Sequence, residues 1–294
     1  MRTHFLVLAY ERPEGLKSLL ASIRAQRADA PAADITVLDN ASRAETGTVL
    51  KRTCQEYGAR YLRSEKNVFM RGKRVLEDHV FDEGPVPDVA VHLDDDVVLS
   101  EDWQEEVTAV LRAGRYAACG SVEPWEGELV YSGQRELRFT EQHMAGRPRQ
   151  IWDWEWQRVG SISGTVPVEF AGHRAMAVLG EVATKLRHDD TYRIGGEDLD
   201  YSLELRKLGG HEIAIATGAV IQHRAHGEVD APGFRTPENV ISSWRHFYAK
   251  WSFLRANACG EAGMSLEDFV AAVTAPQPET EPRAASRSGA TGPA

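Results

Sequence analysis

A chain of 294 residues is long enough for one large α/β domain with a substantial core. Its 34 Lys+Arg against 44 Asp+Glu give a formal net charge of −10, which argues against a general nucleic-acid binder, because a phosphate backbone demands a basic surface. Cys54, Cys119 and Cys259 lack any CxxC spacing, which points away from a disulfide framework or zinc knuckle and towards a reducing cytoplasm.

HFLVLAY (4–10) reads as a buried strand, followed by a Pro-initiated helix, ERPEGLKSLLASIRAQ, with Leu16, Leu19, Leu20 and Ile23 on one face. DITVLDN (34–40) is a second strand, ETGTVLKRTCQEYG a helix and ARYLRS a short third strand. PDVAVHLDDD continues an alternation that predicts a mostly parallel, Rossmann-like sheet with helices on both faces. Ligands of such sheets bind beyond the strand carboxyl ends, where Asp39 and Asp94–Asp96 fall.

The helix EDWQEEVTAVLRAG and the strand YAACGSV follow, and then regularity weakens over residues 123–158. There Trp152, Trp154 and Trp156 alternate with Asp153 and Glu155, as in a strand with one aromatic face that either packs on the domain or stacks on a sugar ring. TVPVEFAGHRAMAVLGEVATKL restores order, followed by the Gly195-Gly196 turn, the helix EDLDYSLELRKLG and the strands HEIAIAT and GAVIQH. PENVISSWRHFYAKWSFLRA is an amphipathic helix whose Trp244, Phe247, Tyr248, Trp251 and Phe253 pack on the domain or meet a second copy in a homodimer. Ser265 starts a last short helix, and residues 275–294 read as a disordered tail. No apolar run approaches the roughly 18 residues of a membrane span, so a cytoplasmic protein with no transmembrane segment is expected.

Two acidic clusters carry the chemistry. Three adjacent carboxylates at a strand end repel one another, and a cation or a set of donors must offset that cost, so Asp94, Asp95 and Asp96 suggest a metal site. Glu197 and Asp198 start a helix behind two glycines, where first-turn N–H groups and the dipole favour the ionised form and a base can meet a substrate. The alternatives are ordinary ones: Asp39 as a turn acid with Ser42 as helix cap, His223 as a strand-end histidine bonded to a carbonyl, and Lys66, Arg71, Lys73 and Arg74 as a solvated helix start.

The segments LVLAYERPEGLKSLLASI, VLDNAS, AVHLDDDVVL and GGEDLDYSLELRKLG…GAVIQH resemble, in order and over roughly residues 4–226, the GT-A-fold, family 2 type of nucleotide-sugar glycosyltransferase. GGEDLD is also similar to a segment of the inverting β-1,4-galactosyltransferases. The resemblance implies one catalytic domain over residues 1–274, with a nucleotide-sugar-binding half (1–122) and an acceptor half (123–274). It implies that Ala9, Tyr10, Arg12 and Asp39 hold the nucleotide, that Asp94 and Asp95 line the donor, and that Asp96 binds Mn²⁺ or Mg²⁺ with His223 as an added ligand and His226 as its competitor. Asp198 becomes the base for an acceptor hydroxyl, with Glu197 holding a sugar. One departure stands out: where the family often has Asn-x-Gly after the third strand, this chain has KNVFMRGKR, whose Lys66, Arg71, Lys73 and Arg74 can meet diphosphate charge directly, with Asn67 and Lys73 counted among the donor-binding residues. The expected activity is metal-dependent, inverting transfer from a nucleoside-diphosphate sugar, UDP-linked by preference, to an unidentified acceptor (saccharide, natural product or peptide). A retaining enzyme or a non-catalytic sugar-binding protein are the alternatives.

Overall fold

The computed structural model of the chain describes residues 1–27, 33–125, 127–134, 156–172, 174–223 and 236–251. The first half is an alternation of strands and helices. Strands β1 (Thr3–Ala9), β2 (Asp34–Asp39), β3 (Arg60–Arg63) and β4 (Val89–Asp94) lie in the order β4-β1-β2-β3, every pair parallel. Parallel strands need crossovers, and helices α1 (Pro13–Arg24), α2 (Ala44–Glu56) and α3 (Arg71–Glu83) supply them. Pro13 opens α1, where its missing N–H costs nothing, and the apolar stripe Leu16, Leu19, Leu20 and Ile23 packs on Phe5 and Val7 of β1. Leu76, Val80 and Phe81 of α3 cover the other face against Leu6 and Leu38. With both faces sealed, β1 and β4 are nearly continuous apolar runs.

The second half is mixed. After β5 (Val97–Leu99) and α4 (Trp103–Arg112) come β6 (Ala118–Trp125), β7 (Glu128–Gln134), β8 (Trp156–Arg158), β9 (Thr165–Val168), β10 (Phe170–Ala171) and β11 (Ala175–Leu179). β11 runs antiparallel between β4 and β6 and joins the two halves into one sheet. Helix α5 (Gly180–Ala183), helix α6 (Glu197–Leu203) with a π-helical turn at Glu204–Leu208, strand β12 (Ile213–His223) and helix α7 (Pro237–Lys250) follow. The result is the expected α/β architecture, with its strictly parallel part confined to the first four strands.

Several local expectations change. The two strands expected at HEIAIAT and GAVIQH are one strand, β12, whose register shifts between Ile215 and Val220 as it passes from β6 to β5. Of the tryptophan run, Trp156 opens β8, while Trp152 and Trp154 lie outside the described residues, as do His226, Phe253, Cys259, the Ser265 helix and the tail. Trp244, Phe247 and Trp251 are buried within the chain itself, so these three offer no surface for a dimer. No described helix is long and apolar enough to cross a membrane.

Candidate active site

The strand register gathers the candidate residues at one end of the parallel sheet. Leu8 pairs with Asp94, Ala9 with Asp39, and Asp39 with Arg63, so the ends of four adjacent strands meet beyond the sheet. His223 joins them from the far half, because β12 runs antiparallel to β5 with His223 opposite Val97, one residue past Asp96.

The donor side is dense with charge. Asp95 is buried and accepts the Tyr10 N–H at 2.9 Å, and Nη1 of Arg12 reaches Asp95 at 3.1 Å and Asp96 at 2.9 Å. Arg12 is therefore engaged by Asp95 and Asp96, where the resemblance implied a nucleotide contact. Nε2 of His223 lies 3.4 Å from the same Asp96 oxygen. Burial, with the adjoining Asp96 charge, pushes Asp95 up to about 7 against Arg12 and the Tyr10 N–H. Burial also opposes ionisation of Asp96, but the His223 hydrogen bond and Arg12 outweigh it and hold that carboxyl below its usual range. Arg174 and Glu123 form a further ion pair, and Arg174 also acts on Asp96. No sequence signal marked either residue.

Asp39 is fully buried and follows its ordinary reading. Its carboxylate accepts from the Ser42 N–H at 2.8 Å, the Tyr61 hydroxyl at 2.6 Å and Arg63. Three donors thus occupy it, with a single one on Oδ1. Ser42 is not the cap of α2, for its hydroxyl accepts the Glu11 N–H instead. Ala9 is buried and Tyr10 half-buried at the same strand end.

Asn67 contributes geometry. Its side chain accepts the Phe69 N–H at 2.8 Å, while Asn40 accepts the Val68 N–H at 2.8 Å and donates to the Phe69 carbonyl at 3.2 Å. Phe69 stands at φ 55°, in the left-handed region, at the third place of Asn67-Val68-Phe69 where the family's Asn-x-Gly has glycine. The departure in sequence thus preserves the turn at a cost in backbone strain. Of the four basic residues, Arg71 pairs with Asp190 and Arg74 with Asp78, both partly exposed. Lys73 corrects the solvated-start reading, being only 3% exposed, with Nζ 3.8 Å from Asp94.

On the other side stand Glu197 and Asp198 at the start of α6. Gly195 and Gly196 have φ of 81° and 86°, a backbone that only glycine adopts freely, and a Cβ on Gly195 would meet the Trp244 indole at 3.7 Å. They shape the loop as well as opening it. The loop is pinned from α7, where the Ser243 hydroxyl accepts the Arg193 and Ile194 N–H groups, each at 3.0 Å. Asp198 is crowded by protein, and burial together with the Glu197 charge pushes it up to about 7 despite Lys73 and the backbone N–H bonds. The expected dominance of the helix start over its ionisation is thereby reversed. Asp200, the next acid, faces away and is held by Lys250 at 2.9 Å and the Trp251 indole N–H at 2.7 Å.

Two groups of side chains were tested as metal sites. Asp96 fits best. Its Oδ1 is buried without a hydrogen-bond partner, and hard carboxylate oxygens with one imidazole suit Mn²⁺ or Mg²⁺. Glu77, His92 and His188 also come within 4.8 Å of one another. Glu77, however, already accepts both Nδ1 of His188 at 2.7 Å and its backbone N–H at 2.8 Å, and the nearby Lys73 charge opposes protonation of both histidines. With Glu77 already bonded to His188 through side chain and backbone, this cluster forms a buried hydrogen-bond network, with Tyr201 of α6 stacked on His188 at 4.2 Å.

The chain superposes on a structure of GalNAc-T7 with UDP, GalNAc and Mn²⁺ at a TM-score of 0.63 and 13% identity, covering 92% of this chain and 56% of that one. A mannosyltransferase from Pyrobaculum calidifontis in complex with GDP-Man and Mn²⁺ gives 0.57 and 14%, over 93% of this chain and 73% of that one. TarS of S. aureus gives 0.53 and 12%, over 85% of this chain and 39% of that one. These likenesses establish a GT-A fold. This chain spans little more than half the length of the GalNAc-T7 chain. No curated protein matches in sequence. The profile described as glycosyl transferase family 2 matches residues 5–164, more than half of the chain, and the protein therefore belongs to glycosyl transferase family 2.

Proposed function

We propose that this chain is a metal-dependent, inverting glycosyltransferase that moves a sugar from a nucleoside-diphosphate sugar, UDP-linked by preference, to an acceptor nucleophile. One observation carries the reading: a single buried ammonium, Lys73, lies beside Asp94 of the donor side and acts on the charge of Asp198 of the opposite side, so the two acidic clusters border one space. Family membership and the Mn²⁺- and nucleotide-bearing structures of the same fold support it.

Asp96, with His223 and Asp94 beside it, would hold the divalent ion, which supplies Lewis-acid stabilisation of the departing diphosphate. The remaining work belongs to the protein. Tyr10 and Ala9 at the end of β1 and the Asn67–Phe69 turn border the nucleotide. Arg12 keeps the adjacent Asp95 and Asp96 from repelling each other. Asp198, pushed up to about 7, is matched to taking a proton from a hydroxyl near neutral pH, and Glu197 beside it orients the acceptor or the donor sugar. A carboxylate base beside the acceptor is the requirement of a single displacement, hence of inversion.

A thermal-shift panel of UDP- and GDP-sugars, with and without Mn²⁺, tests this reading, because a ligand that binds the folded state raises its apparent stability. The expected result is a rise that needs both nucleotide sugar and ion, followed by nucleoside diphosphate release and an inverted anomeric proton signal by NMR when acceptor is added. No ion-dependent shift with any nucleotide would remove the proposal, and a retained anomeric signal would remove inversion.

A further inference from the structure

We infer that Lys73 is a positioning residue that holds the site's two acidic sides at a fixed spacing and keeps Asp198 in its proton-accepting form. The inference rests on the reading of Asp198 as the base, yet its own content is electrostatic and can be measured without turnover.

The argument starts from cost. Burying an ammonium is expensive unless charge or hydrogen bonds compensate it, and lysine is among the residues least often fully buried. Lys73 is 3% exposed, and its measured ion pair is long, 3.8 Å to Asp94. One carboxylate at that distance does not offset the penalty. A second anion is needed, and Asp198 supplies it, since the two attract each other across the site.

The placement follows from α3. Lys73 and Glu77 are one turn apart and both buried. Glu77 holds His188 and lies 3.3 Å from His92, which stands two residues before Asp94 on β4. His188 stacks on Tyr201, three residues after Asp198 on α6. The inner face of α3 thus grips β4 and α6 at the same time, and Lys73 is its member nearest the site.

The groups bearing on Asp198 are few. Glu197 of the same helix opposes its ionisation, Lys73 of α3 favours it, and the Leu199 N–H donates to it at 2.9 Å. His92 and His188 are kept neutral by burial and by Lys73 itself, so they add no second cation. Arg12 serves Asp95 and Asp96. Lys73 is therefore the cation on which the Asp198 anion depends. This differs from the diphosphate contact expected of it from sequence.

The test uses metal-free protein with ¹³C-labelled aspartate carboxyls, the Asp198 signal being assigned by its loss in Asp198→Asn. In Lys73→Met the titration midpoint of Asp198 should rise by at least about one pH unit, a tenfold change in proton affinity, and Lys73→Arg should bring it back. An unmoved Asp198 midpoint in a folded variant overturns the inference. So does a large loss of UDP affinity with the midpoint unmoved, which would return Lys73 to the phosphates. Should Lys73→Met fail to fold, Lys73→Gln carries the same measurement. If the midpoint moves as expected and Asp198→Asn still transfers sugar, the base assignment falls while the role of Lys73 stands.

Discussion

The two sides of the candidate site solve the problem of crowded carboxylates in opposite ways. At Asp94–Asp96 the protein brings cations to the acids, with Arg12 across Asp95 and Asp96, His223 on the same Asp96 and Lys73 beside Asp94. At Glu197-Asp198 two neighbouring acids repel each other, and burial with the Glu197 charge pushes Asp198 up to about 7 against Lys73. The first arrangement holds Asp96 ionised and able to carry an ion, although burial pushes its neighbour Asp95 up to about 7. The second favours a group that exchanges its proton, so similar residues acquire different chemistry from what is packed around them.

The sharpest way to separate the two is substitution on each side. Asp198→Asn should lower the transfer rate by about 10²–10⁴-fold with nucleotide affinity nearly unchanged. Comparable turnover in the variant would refute the contrast. Next in size is the support behind the second side. Lys250 bonds Asp189, Asp200 and Glu204 at 3.1, 2.9 and 2.6 Å, and Lys250→Met would leave the buried Asp200 carboxylate without its cation. Chemical unfolding at pH 7 should show a loss of about 3 kcal/mol. Asp96→Ala should weaken the Mn²⁺-dependent part of UDP binding on the order of 10–100-fold, with metal-free binding little changed, as read by titration calorimetry.

A fourth prediction concerns the network that joins the sides. Burial keeps His92 down to about 3 and His188 well below its usual value, so the unfolded chain takes up those protons first as pH falls below about 6.5, and stability is lost on acidification. Glu77 is pushed up to about 7 by burial and works the other way, its contribution being present at low pH and lost as pH rises. Two histidines against one glutamate leave a net loss on the order of 1 kcal/mol per pH unit between about pH 6.5 and 4.5. Urea midpoints at pH 7, 6 and 5 measure it, and Glu77→Gln should steepen the slope. The smallest expected effect is Phe69→Gly. Relief of the left-handed strain at φ 55° should outweigh the added chain entropy and raise stability by about 0.5 kcal/mol, and a clear loss would mean that the ring's packing matters more than its backbone.

The first half of the fold was legible because its physics is local. Apolar runs such as FLVLA, the Pro-initiated α1 and the acids at strand ends each carry their own signal. The candidate site was legible as far as residue type. Which acid would be buried, and beside which cation, was not, because those facts depend on partners far apart in sequence: Arg12 with Asp96, Lys73 with Asp94 and Asp198, Lys250 with Asp200. Glu77, His92 and His188 gave no sign at all, since a glutamate inside a helix and a histidine inside a strand look ordinary until packing removes the water. The left-handed Phe69 turn was hidden for a different reason, because its usual marker, glycine, is missing.

The irregularity in β12 has a consequence for how this chain can vary. Before it the strand runs alongside β6, and after it the last three residues face β5. Neighbouring side chains on a strand point to opposite sides, so inserting one residue between Ile215 and Val220 would turn the imidazole of His223 away from Asp96 and present Gln222 in its place. Residue spacing in this stretch thus fixes the pairing of His223 with Asp96 as firmly as the side chains do, and changes of length should be tolerated there far less well than changes of side chain.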